Sequence, residues 1–277
     1  MLLETDADLT GTIDLHIHTA PDVSPRKLDD VEAARQAAAR GMRAILLKSH
    51  TTLTAGRAAL VERMVPGIRV FGGLALNDAV GGLNPAAVEA ALQLGAAEIW
   101  MPTLSAVGDP RPHRAPGLTV VDDQGLKPSV HEILRLVAEH NAILGTGHLS
   151  PAEIMLLVPA ARAAGVRKVL ITHPEHPPVE MSVLQQEELR DRYDVYFERC
   201  LISTTLGSGQ MSFAELAGII RRVGAATTVV ATDFGQPENL SPVEGLSVYI
   251  AQLRVEGFSR AEVAQMARAN PARLLEL

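Results

Sequence analysis

The chain has 277 residues, of which 47% are hydrophobic and 21% charged, and its net charge is -7 at pH 7. This composition is typical of a globular protein and argues against disorder. The length allows one α/β barrel of roughly 250 residues or two smaller domains. The negative charge and the scarcity of aromatic residues argue against a nucleic-acid-binding surface. The sole cysteine, Cys200, rules out an intrachain disulfide.

The localisation of the protein is predicted from its first residues and from the length of its apolar stretches. The first residues, MLLETDADLTGT, are acidic and lack the basic and apolar segments of a signal peptide. Apolar stretches stay below the roughly 18 residues of a transmembrane helix, so no membrane association is expected. We therefore expect a cytoplasmic protein. Barrels of this size often form dimers or larger closed oligomers, so the sequence is compatible with a homo-oligomer.

Short apolar runs alternate with alanine-rich helical patterns along the chain, and such runs are typical of parallel strands buried on both faces. The predicted strands cover residues 12–17, 43–48, 69–75, 98–101, 142–145, 168–172, 195–198 and 228–232. Helical patterns separate the strands, and two more helices follow the last one. Eight such units predict one domain over residues 1–277, a (β/α)8 TIM barrel. An open doubly wound sheet is the alternative, weakened because no GxGxxG motif follows the first strand.

One connection is too long for an ordinary turn. Residues 102–128 are rich in glycine and proline and follow the fourth strand. Ordered loops of this length are usually lids or binding loops, so we predict an active-site loop, with a solvated excursion as the alternative. The loop carries four basic residues, which are Arg111, His113, Arg114 and Lys127.

Two histidines stand at the end of the first strand, in the motif DLHIHTAPD. His16 and His18 are two residues apart, and therefore project from one face of the strand. Two imidazoles in this arrangement can chelate one divalent ion. The alternative is a pair of hydrogen-bonded polar residues at a barrel rim. Asp14, at the start of the motif, is interpreted as structural.

Other polar residues also stand where predicted strands end. Lys48 and His50 follow the second strand, His148 the fifth, and His173 the sixth, while Asp233 follows the eighth. The carboxyl ends of the strands form the face on which α/β barrels build their active sites. The joint placement therefore predicts a metal site on that face.

This ordered set resembles the amidohydrolase superfamily, as does the C-terminal segment NPARLL. The resemblance implies a (β/α)8 barrel that binds one or two divalent metal ions. It further implies that Asp233 exchanges a proton with water and leaving group and that His173 takes part in catalysis. The expected substrate is a small molecule with an amide, lactam, lactone or ester bond. The metal ligands implied are His16, His18, His148, His173 and Asp233.

The sequence departs from the superfamily pattern in two respects. Only about ten residues precede the first strand, so we expect no flanking β-sandwich. Strand four carries no lysine to bridge two metals, whereas Lys48 ends the apolar second strand. Burial favours a neutral amine, which could form a carbamate and bridge metals. A lysine paired with a carboxylate, or one that anchors substrate, is the alternative.

Three further side chains receive secondary predictions. His50 is a predicted ligand or substrate contact, because it shares the face of Lys48. Glu198, at the end of strand seven, either orients a histidine ligand or forms a salt bridge at the rim. Cys200 is interpreted as a small buried residue rather than a nucleophile.

The donor set suits zinc, ahead of manganese, iron or nickel. Two other functions stay open at this point. One is a phosphoesterase of the phosphotriesterase or histidinol-phosphatase type, in which Arg111, Arg114 and Lys127 would hold phosphate. The other is a non-catalytic barrel that binds metal without turnover.

Overall fold

The computed structural model describes residues 7–109, 116–205 and 211–277. The strands in this part of the chain are β1 (Ile13–His18), β2 (Ala44–Lys48), β3 (Arg69–Ala75), β4 (Glu98–Trp100), β5 (Val121–Asp122), β6 (Gly125–Leu126), β7 (Ile143–Gly145), β8 (Lys168–Ile171), β9 (Val195–Cys200) and β10 (Thr228–Ala231). All but β5 and β6 belong to one eight-stranded sheet with the order β1-β2-β3-β4-β7-β8-β9-β10.

Helices fill most of the connections between these strands. They are α1 (Asp30–Ala39), α2 (Ala55–Met64), α3 (Pro85–Gln93), α4 (Pro128–Glu139), α5 (Pro151–Ala163), α6 (Val183–Arg192), α7 (Phe213–Val223), α8 (Pro242–Val255), α9 (Arg260–Ala264) and α10 (Asn270–Leu275). A π-helical segment, Gln265–Ala269, joins the last two. Helices α5 to α9 each begin with a capping box, in which a serine and a Glu or Gln three residues later satisfy each other's backbone N–H groups.

The strand order confirms the (β/α)8 fold class predicted from the sequence. Strands outside the eight-stranded sheet are limited, in the described part of the chain, to the antiparallel hairpin of β5 and β6. The described ranges accordingly contain no flanking β-sandwich. None of their helices has the length and apolar character needed to cross a membrane.

The strand bounds agree with the prediction to within one residue except at the end of β9, and the long connection after β4 also ends at a different residue. Strand β9 continues to Cys200, two residues beyond the predicted end, because the run Val195–Cys200 is buried throughout although it contains Glu198 and Arg199. The long connection after β4 contains the hairpin of β5 and β6, and it ends at Lys127 because Pro128 begins α4. Proline at the first helical position loses no intrahelical hydrogen bond. Arg111, His113 and Arg114 lie outside the described residues.

The chain divides into two compact units. Unit 1 takes in the chain up to Lys48, the segment Gly56–Phe71 and the chain from Glu198 onward, whereas unit 2 comprises Ser49–Ala55 and Gly72–Phe197. The core of unit 1 is mainly aliphatic. Its members include Ile17, Leu47, Val230 and Leu246, and each of these four is at most 1% exposed. This apolar packing fixes the strand ends that carry the polar residues described below.

In unit 2, strand β4 carries the large buried side chain of Trp100. Glycines on the two strands paired with β4 leave room for it: a Cβ on Gly73 would lie 2.5 Å from Trp100 Cζ3, and one on Gly145 2.4 Å from Trp100 Cδ1. Atoms so close would clash, so both positions require glycine for packing rather than for backbone conformation.

Candidate functional site

Two imidazole side chains and one carboxylate of unit 1 lie close together. The Oδ1 atom of Asp233 lies 3.1 Å from His16 Nε2 and 3.0 Å from His18 Nε2. The amine of Lys48 lies 3.0 Å from the same His16 Nε2. All four residues are buried. We call these residues, together with Glu198, the unit 1 cluster.

The backbone of β1 and of the residues after β10 sets this geometry. His18 pairs with Lys48 in the parallel register of β1 and β2. The Asp233 N–H donates to the His16 carbonyl (2.8 Å), and the His18 N–H donates to the Phe234 carbonyl (2.8 Å). Asp233 adopts a left-handed backbone with φ of 56°, which is uncommon outside glycine and typical of functional sites. The ladder therefore holds the Asp233 carboxylate beside both histidines.

Gly235 allows this close approach of the two backbones. A Cβ at Gly235 would lie 1.9 Å from the carbonyl oxygen of His18, and its φ is 148°. Any other residue would push the segment after Asp233 away from β1. Glycine at this position is thus a direct requirement of the site.

The other ring nitrogen of His16, Nδ1, contacts Glu198, whose Oε2 lies 2.9 Å from it. A carboxylate at Nδ1 fixes the ring orientation and keeps the proton on Nδ1, so that Nε2 can serve as a ligand. This contact is the one described by the first of the two sequence interpretations of Glu198. The rim position of the second interpretation does not agree with a side chain that is 0% exposed.

Charges within the cluster change the pKa values of its members. Burial lowers the pKa of His16, but the Asp233 and Glu198 carboxylates outweigh burial and the Lys48 charge, and raise it to about 9. Burial lowers the pKa of His18 to about 4. Burial alone would raise the pKa of Asp233, but the two histidines hold it well below its usual range. Asp233 is therefore ionised at neutral pH, and His18 is neutral.

Asp14 supports the cluster from below rather than joining it. Its carboxylate accepts hydrogen bonds from the Thr232 hydroxyl (2.6 Å) and from the backbone N–H groups of Thr232 and His16 (both 3.1 Å). Burial raises its pKa to about 7. These contacts tie β1 to the end of β10, in agreement with the structural interpretation.

Cys200 is buried, as the sequence predicts, and its Sγ lies 3.7 Å from His16 Nδ1. Burial and the Glu198 and Asp233 carboxylates raise the pKa of the thiol well above its usual value. A thiol with a raised pKa stays protonated at neutral pH and is a poor nucleophile.

The donor atoms of the unit 1 cluster fit a divalent ion. His16, His18 and Asp233 each offer one ligand atom, all buried and close together. Tetrahedral ligands at about 2.0–2.1 Å from zinc would be roughly 3.3 Å apart, near the observed separations.

Unit 2 contains a second histidine group, which we call the unit 2 cluster: His50, His148, His173 and His176, together with Asp109. The ring centroids of His148 and His173 are 4.9 Å apart, those of His173 and His176 5.1 Å, and those of His50 and His148 6.1 Å. The strand-end placement predicted from the sequence therefore brings three of these histidines together within unit 2.

Asp109, in the long loop after β4, orients His148. Its Oδ2 lies 2.7 Å from His148 Nδ1, and both side chains are almost fully buried. The His148 N–H also donates to the Pro102 carbonyl (2.9 Å). Gly147 precedes the histidine with φ of 61°, and a Cβ there would lie 2.3 Å from the Met101 carbonyl oxygen. The turn after β7 thus presents the Nε2 side of the ring away from Asp109.

Thr103 and Asn77 hold His50. The His50 Nδ1 lies 2.8 Å from Thr103 Oγ1, while the Asn77 amide donates to that hydroxyl (2.6 Å) and to the His50 carbonyl (2.9 Å). The predicted ligand or substrate role of His50 stays a prediction. His173 is 1% exposed and has a positive φ of 24°, a strained backbone of the kind found at functional sites.

Sequence reasoning did not identify Asp109, Thr103 or Asn77. Their contacts join residues 26 to 53 positions apart, and no local pattern in the sequence announces such pairs. Asp109 lies in the loop predicted to border the active site, which is the one signal that could have pointed to it. Lys127 donates its amine to the Thr119 carbonyl (2.7 Å) and thereby anchors the same loop.

Unit 1 also contains a cavity of about 760 Å³. Phe213, Phe234 and Leu240 form apolar walls, and Lys27 and Glu238 contribute charged groups. Phe234 directly follows Asp233. The volume lies within the range of small-molecule binding sites, which are roughly 300–1,000 Å³.

A family model described as "Family of unknown function (DUF6282)" matches residues 11–198. No curated protein sequence matches the chain significantly.

Solved structures show the same fold. One similar structure is an amidohydrolase from Pseudomonas aeruginosa, with a TM-score of 0.66, 13% identity, and coverage of 96% of both chains. A 2,6-dihydroxybenzoate decarboxylase has a TM-score of 0.60 at 13% identity and covers 97% of this chain and 100% of its own. An enamidase described as a member of the amidohydrolase superfamily has a TM-score of 0.62 at 14% identity, over 97% of this chain and 68% of its own. The resemblance to this superfamily is thereby confirmed for the fold.

Proposed function

The chain belongs to the DUF6282 family of unknown function, and we propose that it is a metal-dependent hydrolase that attacks an amide, lactam, lactone or ester bond of a small molecule with a metal-activated water. One observation carries the proposal: His16 Nε2 and His18 Nε2 both contact the single oxygen Oδ1 of Asp233, at 3.1 and 3.0 Å respectively. The fold shared with amidohydrolase-superfamily enzymes supports an enzymatic role.

In this proposal, His16, His18 and Asp233 hold a divalent ion, zinc ahead of manganese, iron or nickel. The ion supplies a Lewis acid that lowers the pKa of water from 15.7 toward about 7 and polarises the scissile carbonyl. His148 and His173 remain proposed ligands on the strength of their strand-end positions. His173 also remains a proposed participant in catalysis.

Asp233 is the proposed general base and acid. Its side chain is 13% exposed, compared with 0% for His16 and 2% for His18, so it is the cluster member most accessible to water and substrate. Its carboxylate is ionised, because the histidines hold its pKa low. It can therefore accept a proton from the attacking water and deliver that proton to the leaving group.

Glu198 and Lys48 have supporting roles in the proposal. Glu198 positions His16 through Nδ1 and increases the basicity of Nε2. Lys48 is fully buried, and its amine lies beside the proposed ligands. We propose that the neutral form of this amine adds to carbon dioxide and releases one proton, which gives a carbamate that would join the ligand set. Reconstitution of the apo-protein with zinc should then require bicarbonate in the wild type and lose that requirement in Lys48→Glu, which supplies a carboxylate of its own on a shorter side chain.

The alternative functions receive less support. A phosphoesterase would need cations for phosphate, yet Arg111 and Arg114 lie outside the described residues, and the Lys127 amine binds the Thr119 carbonyl. A non-catalytic metal-binding barrel has no specific observation in its favour, since the ionised and partly exposed Asp233 is the group that catalysis needs.

The decisive experiment compares wild type with Asp233→Asn on a panel of lactones, lactams, amides, carboxylic esters and phosphate esters, with metal content measured for both proteins. We expect wild type to hydrolyse a carboxylic-acid derivative, and Asp233→Asn to lose turnover by about 10³-fold or more. Asp233→Asn should retain bound metal through the histidines. Unimpaired turnover in Asp233→Asn, or cleavage of phosphate esters alone, would contradict the proposal.

A further inference from the structure

The loop between β1 and α1, residues 19–29, is held rigidly at both ends. The Ala20 N–H donates to the Leu28 carbonyl (2.9 Å), and the Asp30 N–H donates to the Ala20 carbonyl (3.0 Å). Arg57 braces the loop from α2, since its guanidinium donates to both oxygens of Asp30 (2.7 and 2.8 Å) and to the Pro21 carbonyl (2.7 Å). A braced loop can present a side chain in a fixed position.

Arg26 lies in this loop with its charge largely removed from water. Its side chain is 7% exposed, and its Nη2 lies 3.1 Å from Asp22 Oδ2, whose side chain is 2% exposed. The buried Nε–H of Arg26 has no acceptor among the residues that the structure describes. A buried charged donor without a partner is costly, and such a group calls for an explanation.

The backbone places Arg26 close to the proposed catalytic residues. The N–H of Lys27, the next residue, donates to the Gly235 carbonyl (2.8 Å), two positions after Asp233. Lys27 and Phe234 both line the 760 Å³ cavity of unit 1, so the loop of Arg26 and the segment after Asp233 border the same space.

From these positions we infer that Arg26 binds a carboxylate of the substrate, so that the enzyme acts on an anionic acid derivative rather than on a neutral one. The inference rests on the proposed function, since it concerns the substrate of the same site. A carboxylate oxygen would satisfy the Nε–H, and a planar guanidinium suits carboxylate recognition. Asp22, which binds Nη2, keeps the guanidinium plane fixed before substrate arrives.

A matched pair of ligands tests the inference on zinc-loaded protein. Hydroxamates chelate zinc, so we choose the monohydroxamate of succinic acid and the same compound with a primary amide in place of its carboxylate. The glutaric pair covers a longer reach. Isothermal titration calorimetry at pH 7 would compare wild type, Arg26→Met, Arg26→Lys and, as a control for charge, Arg35→Met, which removes an exposed arginine of α1.

We expect wild type and Arg35→Met to bind the carboxylate compound of at least one pair about tenfold or more tightly than its amide. Arg26→Met should lose this preference while it binds the amide compound as wild type does, which also shows that the variant is folded and metal-loaded. Arg26→Lys should retain only part of the preference, because it keeps the charge without the Nε–H. An undiminished preference in Arg26→Met would overturn the inference, as would equal binding of both compounds by wild type. If neither compound binds the zinc-treated wild type, the proposed metal site fails as well, and the two failures are thereby told apart.

Discussion

The two units carry histidines in different chemical settings. In unit 1, carboxylate oxygens meet histidine nitrogens on both sides of the His16 ring, from Asp233 at Nε2 and from Glu198 at Nδ1. In unit 2, histidine rings contact one another, and Asp109 or Thr103 holds an Nδ1 atom. Convergence on one carboxylate oxygen is the arrangement on which the proposed cation site rests, and among the described residues the ring contacts of unit 2 show no such shared oxygen. A histidine-rich region is thus informative only once the partners of each nitrogen are known.

The largest expected difference between the two units is in metal content after the loss of a unit 1 histidine. His16→Asn removes the nitrogen shared by Asp233 and Lys48, so bound metal should fall to less than about a tenth of the wild-type amount. Elemental analysis of the purified protein would measure this. His131→Asn, at an exposed site on α4, is the control and should keep full metal content. Full metal content in His16→Asn would place the ion elsewhere.

The close backbone approaches predict a large effect on stability in both units. Gly235→Ala would place a Cβ 1.9 Å from the His18 carbonyl, and Gly147→Ala one 2.3 Å from the Met101 carbonyl. We expect each to lower the free energy of unfolding by about 3 kcal/mol or more.

Gly95→Ala is the matched control, because its φ is 84° but no atom lies within 4 Å of the added Cβ. It should cost only about 1 kcal/mol. Chemical denaturation of the metal-free proteins would compare the three variants. Equal losses in all three would show that backbone conformation alone, and not the close approach to His18, explains the requirement at Gly235.

Glu198 and Asp109 allow a carboxylate to be replaced by the corresponding amide in each unit. Glu198→Gln weakens the hold on the His16 ring and should reduce metal affinity about 10- to 100-fold. Asp109→Asn, which changes the corresponding contact of His148, should have a smaller effect on the affinity of the unit 1 ion. Competition with a fluorescent chelator would measure both. A larger loss for Asp109→Asn than for Glu198→Gln would reverse the assignment of the two clusters.

A pH change of one unit has the smallest predicted effect, and it acts on metal affinity through the protonation of His16. In the metal-free protein the pKa of His16 is raised to about 9, so His16 carries a proton at neutral pH that a metal must displace. Metal affinity should therefore fall about tenfold for each pH unit between pH 9 and pH 6.5. Protonation of His16 also stabilises the metal-free fold below pH 6.5, and this contribution is lost as the pH rises through 9. An affinity that does not change over this range would contradict the role of His16.

Much of the fold was readable from the sequence because continuous apolar runs and capping residues are local signals. Strand β3 has the bounds Arg69–Ala75 that were predicted, and Ser150 caps α5 by accepting from the Glu153 N–H. The end of β9 was missed because Glu198 and Arg199 are polar yet buried. Local patterns do not reveal that Glu198 faces a histidine 182 positions away.

The candidate site was only partly predictable for the same reason. Strand ends that carry His16, His18 and Asp233 can be located in the sequence once the strands are known, and the structure brings these three together. The partner of each nitrogen, such as Asp109 for His148, depends on loops whose course the sequence does not specify. The buried, unsatisfied Nε–H of Arg26 emerged only from the structure.

The central claim is that unit 1 binds a divalent ion between His16, His18 and Asp233. An anomalous difference map, recorded at the absorption edge of the metal found in the purified protein, tests it most directly. We predict a peak within about 2.0–2.3 Å of His16 Nε2, His18 Nε2 and an Asp233 oxygen. A protein that carries metal but shows no anomalous peak at these three atoms would contradict the account.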